Sequence, residues 1–450
     1  MNILTHIHRI ILSAIVLVIT FVCTQRMRAQ EKKITLADAI SSALEKNTQM
    51  ITSRNTLASQ QSRATVARGT LYTSVDASEG WNYRENNSPT VTTPFGSTGG
   101  TSSSRTYSAD IGASVVLFNG FANYANIEQA NAGVASSQNM LERQKQTTTF
   151  QTIQLYLDVL RNEQLLRVRQ DNLSRSKEQL KRIEESNRLG GVAIADVYRQ
   201  QVVVSNDELL LIQTQNEFDK AQLELVLYLG MNAAEKYSFA DNSIPTNIDS
   251  TELSSAGKPQ QQFSQLVAQS LAMRADYLSA QHNLSSARLS LSIAQGVRYP
   301  TLSANGSYGY GAGKLSELTE NSSLSFGLNL SYPMFNNFRT DNAIQQAEIE
   351  IRNAEEVLHL KERQVSVEIQ KALLDVEAAR KSVEVSQTGV RSAIEDRRIA
   401  EEKYNLGAGT LLDKLVADAN YTAAVNNKVN AVYSYIAAKK QFDYTIGDLK

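Results

Sequence analysis

Cysteine, histidine, proline, basic blocks and long apolar runs are all scarce in this chain of 450 residues. The single cysteine, Cys23, lies near the N-terminus, so a chain shortened beyond it has neither disulfides nor thiol chemistry. His6 and His8 are N-terminal, and His282 and His359 lie on separate stretches with no cysteine or paired histidine beside them, which argues against a metal site. The 45 basic residues are balanced by 46 acidic ones and form no basic block, which argues against nucleic acid as a partner. No Gly-x-x-x-x-Gly-Lys-Ser/Thr sequence occurs, and the glycine run Gly309 to Gly313 closes a strand rather than opening a helix, so no nucleotide site is expected. No nucleophile, base and orienting group can be assembled. The chain reads as a non-enzyme without a cofactor.

The longest apolar run, Ile10 to Val22, spans 13 residues and is interrupted only by Ser13 and Thr20. That is too short for a spanning helix and suits the core of an export signal, with Arg9 as its positive flank. Residues 1–29 are therefore read as a signal peptide cut after Ala29, leaving Gln30 first. Lipid attachment at Cys23 and an uncleaved anchor are the other readings, although for the first Val22 is bulkier than the small residue such a cut prefers.

Proline is expelled from helix interiors at a cost of about 3 kcal/mol. All six prolines (Pro89, Pro94, Pro245, Pro259, Pro300, Pro333) fall in two zones, so 95–244 and 334–450 are proline-free. Within them, 121–188 and 338–405 hold one glycine each, Gly133 and Gly389. Each reads as a helix of coiled-coil length, roughly 100 Å. Ile344, Ile351, Leu358 and Val365 recur every seven residues, and Ile369, Val376, Val383 and Val390 resume the pattern after a four-residue stutter. Shorter helices are expected over 35–68 and 192–229, the two together about as long as one long helix.

The chain repeats itself. Leu117-Phe118-Asn119-Gly120-Phe121 returns as Met334-Phe335-Asn336-Asn337-Phe338, displaced by 217, and the same displacement carries Leu189-Gly190 to Leu406-Gly407, Asp196 to Asp413 and Gly230 to Gly447. Upstream the displacement is 227, placing Leu44 on Leu271, Gly69 on Gly296 and Trp81 on Tyr308. The first copy is thus 30–230, the second 263–450, and 231–262 joins them as a polar linker. The ten-residue difference is expected in a loop over Glu85 to Ser104, rich in Ser, Thr, Gly, Asn and Pro.

Between the helices the period changes to two. Strands are expected at about 70–84, 105–118, 297–311 and 322–335, for example Leu324, Phe326, Leu328, Leu330 and Tyr332 alternating with small or polar residues. A soluble antiparallel sheet with one buried face fits the alternation alone. Runs of 12 to 14 residues with aromatics near their ends also fit tilted crossings of an outer membrane. Four strands cannot close a barrel and lipid tolerates no open edge, so several chains would have to combine.

In this order of helix, strand pair, Phe-Asn-Gly-Phe entry, long helix, Leu-Gly turn and second helix, all twice, the chain resembles the TolC-like outer-membrane factors over about 34–447. The resemblance implies a mainly α fold with transmembrane β, in which a homotrimer builds a 12-stranded outer-membrane barrel continued by a long periplasmic helical tunnel. It also implies a passive exit duct that docks a periplasmic adaptor and, through it, an inner-membrane pump of the RND, ABC or MFS type. With no nucleotide site here, that partner must supply the transport energy. The turn Tyr404-Asn405-Leu406-Gly407-Ala408-Gly409-Thr410 and its counterpart Leu189-Gly190-Gly191 match the family's docking tip. Asp196, Tyr404 and Asp413 match its periplasmic gate, with a Tyr404 to Asp196 hydrogen bond expected. Gly409 stands where the best-studied members carry a basic residue, and Val416 where they carry a second acidic one. Apart from the resemblance, Asp196 and Asp413 also suit helix starts, where a carboxylate complements the dipole. A non-channel coiled-coil scaffold or adhesin is the alternative function.

Overall fold

The protein is described here by a computed structural model covering residues 32–241, 244, 245, 248 and 263–449. The expected signal peptide with Cys23, and most of the expected linker including Pro259, lie outside the described residues. The first copy runs β1 (Lys32–Ile34), α1 (Leu36–Lys46), α2 (Thr48–Gly69), β2 (Ser74–Thr93), β3 (Gly96–Asn119), α3 (Ala122–Arg188) and α4 (Ile194–Tyr228), followed by β4 (Tyr237–Phe239). The second runs α5 (Phe263–Met273), α6 (Ala275–Gly296), β5 (Thr301–Ala312), a 3-10 turn (Leu315–Glu320), β6 (Ser322–Ser331), α7 (Arg339–Asn405) and α8 (Leu411–Ile446).

α3 and α7 each have 67 residues, about 100 Å of helix. Along α7 the heptad stripe is the buried side: Val365, Ile369 and Val383 are fully enclosed, so the four-residue stutter between Val365 and Ile369 keeps both inward. The single helix expected over 35–68 is broken. Asn47 is extended at ψ 133, and its side chain accepts from the Gln49 N–H and donates to Tyr228 O. Arg274 interrupts the second copy at the equivalent place.

One compact unit comprises the described residues among those up to Thr52, Glu142–Arg274 and Gln364–Lys450. β1 and β4 pair in parallel in it, so part of the expected linker is strand. Its core gathers Phe150, Ile153, Tyr156, Leu225, Leu229, Phe239 and Tyr433. Burial raises the phenol of Tyr156, which donates to Ile34 O at 3.0 Å, and pushes that of Tyr433 up to about 12. Arg274 is buried and donates to Glu368 at 2.5 Å and to Thr445 O at 3.2 Å. A buried guanidinium is tolerable only with partners of this kind.

The other unit comprises Ser53–Leu141 and Ala275–Arg363. It carries an antiparallel sheet in the order β2-β3-β5-β6. Small polar side chains join its helices: Ser136 reaches Ser279 and Asn283 at 2.8 Å, and Gln129 donates to Ser290 at 2.5 Å. The strand expectations need correction: β5 begins at Thr301 rather than 297, β6 ends at Ser331 rather than 335, and two further differences lie in the first copy. The chain turns through Thr70 to Thr73 before β2 begins at Ser74, because the Tyr72 N–H is held by Gly69 O. Glu85 to Ser104 is not a loop but the continuation of the β2–β3 hairpin to Thr93↔Gly96. A ladder is satisfied by backbone groups, so Ser- and Thr-rich sequence extends it without an apolar face.

Strand passes to helix at a repeated knuckle. Gly120 and Phe121 (φ 65° and 64°) correspond to Asn337 and Phe338 (φ 55° and 59°). Phe118 and Phe121 meet edge to face at 5.3 Å, as Phe335 and Phe338 do at 5.6 Å.

Candidate functional site

The two Leu-Gly turns end the two long helices in the same way. Gly191 N–H donates to Ser186 O at 2.8 Å and Ala408 N–H to Lys403 O at 2.9 Å, the six-to-one bond of a Schellman cap, with Gly190 and Gly407 left-handed at φ 80° and 70°. Asn187 closes the first turn by donating to Val192 O at 2.8 Å. Leu189 and Leu406 project into solvent from the two turns. Beneath them Ile183, Val197 and Leu411 pack with Leu180, Val192, Tyr404 and Leu415, so both turns share one small apolar base.

The three residues that the resemblance sets at a gate, Asp196, Tyr404 and Asp413, lie here, without the hydrogen bond expected from Tyr404 to Asp196. Asp196 pairs with Arg199 one turn along α4 at 2.6 Å. Among the described residues Tyr404 donates no hydrogen bond to it. Burial raises the Tyr404 phenol, and the charge of Asp196 adds to that rise. The ring of Tyr404 lies against the apolar base, with the Lys414 ammonium 5.6 Å from its centroid. Asp413 completes a capping box with Thr410, accepting from the Thr410 N–H at 3.0 Å and hydroxyl at 2.7 Å while its own N–H donates back at 3.1 Å. These bonds hold its carboxyl below the usual range. In the first copy the cap position is Ala193, which has no oxygen to offer.

The ties that join the helices are residues the sequence reading did not single out. Lys414 of α8 is buried and donates to Gln179 of α3 at 2.8 Å, with Glu401 of α7 at 3.4 Å. Arg397 of α7 pairs with Asp418 of α8 at 2.8 Å. Tyr421 receives two guanidinium groups, Arg397 at 4.9 Å and Arg175 of α3 at 5.6 Å. Asn172 of α3 donates to Asp207 of α4 at 2.7 Å and accepts from Thr422 of α8 at 2.9 Å. All of these side chains except Tyr421 line a cavity of about 570 Å³. Gln200 Oε1, Asp207 Oδ2 and Asn426 Oδ1, from residues in the same lining, are buried without a hydrogen-bond partner among the described residues. No sequence signal marks Lys414, since an isolated lysine on a charged helix reads as solvated.

In the sheet, alternate residues form an apolar row that nothing in the chain covers among the described residues. Leu324, Phe326, Leu328 and Leu330 are 64 to 81% exposed, and Val75, Trp81, Ile111 and Leu117 are exposed too. The intervening positions of β6 are Ser323, Ser325, Gly327, Asn329 and Ser331. Among the described residues no group of His, Cys, Asp and Glu could hold a metal.

A duplicated chain of paired long helices and a four-stranded sheet with one uncovered apolar face defines an outer-membrane channel protomer. The chain belongs to the outer membrane efflux protein family, which it matches over residues 39–231 and 266–447. It is 23% identical over 409 residues to the outer membrane efflux protein BepC of Brucella suis, spanning 90% of this chain and 83% of that one. Among solved structures it resembles CusC, with a TM-score of 0.78 at 18% identity and 92% of both chains covered. It also resembles the CmeC outer membrane channel of Campylobacter jejuni, with a TM-score of 0.76 at 17% identity over 92% of this chain and 85% of that one. The family places the protein in the outer membrane as an efflux channel rather than an enzyme.

Proposed function

We propose that three copies of this chain close a 12-stranded barrel and continue it as a helical duct, the passive exit of a tripartite exporter. The carrying observation is the sheet's uncovered apolar row. A soluble sheet buries one face, whereas this one turns Leu324, Phe326, Leu328 and Leu330 outward and presents Ser, Asn and Gly on the other side, the alternation of a strand between lipid and a watery lumen. β2 and β6 are the edges of the protomer sheet, and pairing the edge of one copy with that of the next removes both.

The docking tip is assigned to Leu189, Gly190 and Gly191 with Leu406, Gly407, Ala408, Gly409 and Thr410. Two exposed leucines on rigid capped turns suit an apolar contact with a periplasmic adaptor, which would join the duct to an RND, ABC or MFS pump. The same end is the proposed gate, with Asp196, Tyr404 and Asp413 at its rim and Lys414 as the tie that holds α8 on α3. Ion conductance of the purified protein in planar bilayers is the test. Discrete channels support the duct, and their absence from a correctly inserted trimer favours the non-channel scaffold.

A further inference from the structure

The two hairpins of the sheet are unequal in a way that barrel closure does not use. β2 has 20 residues and β6 has 10. β5 leaves β3 at Tyr107↔Ala312 and leaves β6 at Tyr310↔Ser322, whereas β2 and β3 go on pairing from Asn82↔Thr106 to Thr93↔Gly96. Beyond Trp81 and Tyr107 they pair only with each other, as a two-stranded ribbon at the end of the sheet away from its helices.

The composition of the ribbon is selective. Asn86 to Ser104 contains no charged residue. Strand edges that must stay free are commonly guarded by charge, and a ribbon lying on anionic headgroups would carry Lys or Arg. Arg84, Glu85 and Arg105 stand at the base of the ribbon, its outer part from Asn86 to Ser104 has neither Lys nor Arg, and its end exposes Val91 (57%) and Phe95 (101%) beside Pro94. A bulge between Ser88 and Val91 bends it. Opposite the bulge, Gly99 has φ +115°, and a Cβ there would lie 2.3 Å from Pro89 O, so the close approach at the bend requires glycine. Glu85 to Thr93, nine residues at ~3.3 Å each, reach roughly 30 Å. Twelve strands at ~4.8 Å spacing and ~40° tilt give a barrel radius of only roughly 12 Å. Each ribbon is therefore long enough to bend across the mouth and meet its two equivalents.

We propose that the three ribbons of a trimer fold over the outer mouth and meet through Val91, Pro94 and Phe95, forming an extracellular lid. The occupant of each apolar tip is the same tip on the other two copies, which can approach without charge repulsion. The lid rests on the trimeric duct reading. Nitroxide labels at Ser97→Cys and, separately, at Ser104→Cys, each with Cys23→Ser, should give a shorter interspin separation at 97 than at 104. Phe95→Asp should shift the separation at 97 to longer values. In an intact trimer, a longer separation at 97 than at 104, or an unchanged separation at 97 in Phe95→Asp, overturns the lid alone. A chain that is only monomeric by mass in detergent overturns the trimeric duct and the lid with it.

Discussion

Asp196 and Asp413 occupy the same place in the two copies yet do different work, because the residue three positions earlier differs. Thr410 offers a hydroxyl and engages Asp413 in a capping box, whereas Ala193 leaves Asp196 to Arg199. Thr410→Ala should therefore destabilise the start of α8 by about 1 kcal/mol, and Ala193→Thr should stabilise α4 by a similar amount, since Ala193 already has the extended backbone of a cap at ψ 148. Hydrogen exchange of the first turns of the two helices reads both. The pH dependence follows from the lowered carboxyls of Asp413 and of Asp38, which forms the same box with Thr35. A carboxyl whose folded value lies below its unfolded one stabilises above the unfolded value of about 4, and the gain is lost as pH falls through the folded value. Protection of both helix starts should thus fall in acid below about pH 4, and Thr410→Ala should flatten that fall for α8. A protection that rose on acidification would remove the capping boxes as its source. The positions of both aspartates were legible in the sequence as helix starts. That Tyr404 packs instead of donating to Asp196 was not, because a hydrogen bond depends on side-chain direction, which spacing does not encode.

The element boundaries carry the duplication more clearly than the residues do. α1 and α2 return as α5 and α6 at a displacement of 227, and α3 begins and ends 217 residues before α7. Long helices were legible because proline is absent, and glycine reduced to Gly133 and Gly389, over stretches too long for any other regular element. The hairpin beyond Arg84 was not, since Ser, Thr, Gly and Asn signal loops and pairing depends on the opposite strand. Lys414 was invisible for a similar reason: its burial depends on Gln179 of α3, 235 residues away in sequence. The Phe-Asn-Gly-Phe knuckle supplies an element-scale prediction. A Cβ on Gly120 would lie 2.3 Å from Gly296 O, and the residue is left-handed at φ 65°. Gly120→Ala should therefore misplace the β3–α3 junction and lower the yield of folded protein. Asn337→Ala, at the equivalent left-handed position, should cost only about 1 kcal/mol. Thermal unfolding of the purified variants ranks them, and equal losses would show that backbone strain rather than the close approach governs the knuckle.

At the scale of the whole molecule, the proposed trimer brings three tips to one duct, so a change at the tie of one protomer is repeated threefold. Lys414→Met removes the ammonium that joins α8 to Gln179 and Glu401 and leaves the Gln179 oxygen in a buried site without its donor. Breaking one side of a buried charged contact commonly costs about 3–5 kcal/mol, reduced here because Glu401 is partly exposed. Tyr404→Phe keeps the ring against the apolar base, and Asp196→Ala removes a pair with Arg199 that is half in solvent and worth about 0–1 kcal/mol. Lys414→Met should accordingly raise single-channel conductance in an intact trimer more than Tyr404→Phe combined with Asp196→Ala. The reverse order would mean that Tyr404 and Asp196 act between protomers and that the tie inside one protomer is secondary. Asp413→Asn is distinguishable from both. It removes one negative charge per chain at the rim, three around the proposed constriction, so it should lower cation preference and weaken block by multivalent cations without opening the tip. Unchanged selectivity in that variant would leave Asp413 solely as the residue that starts α8.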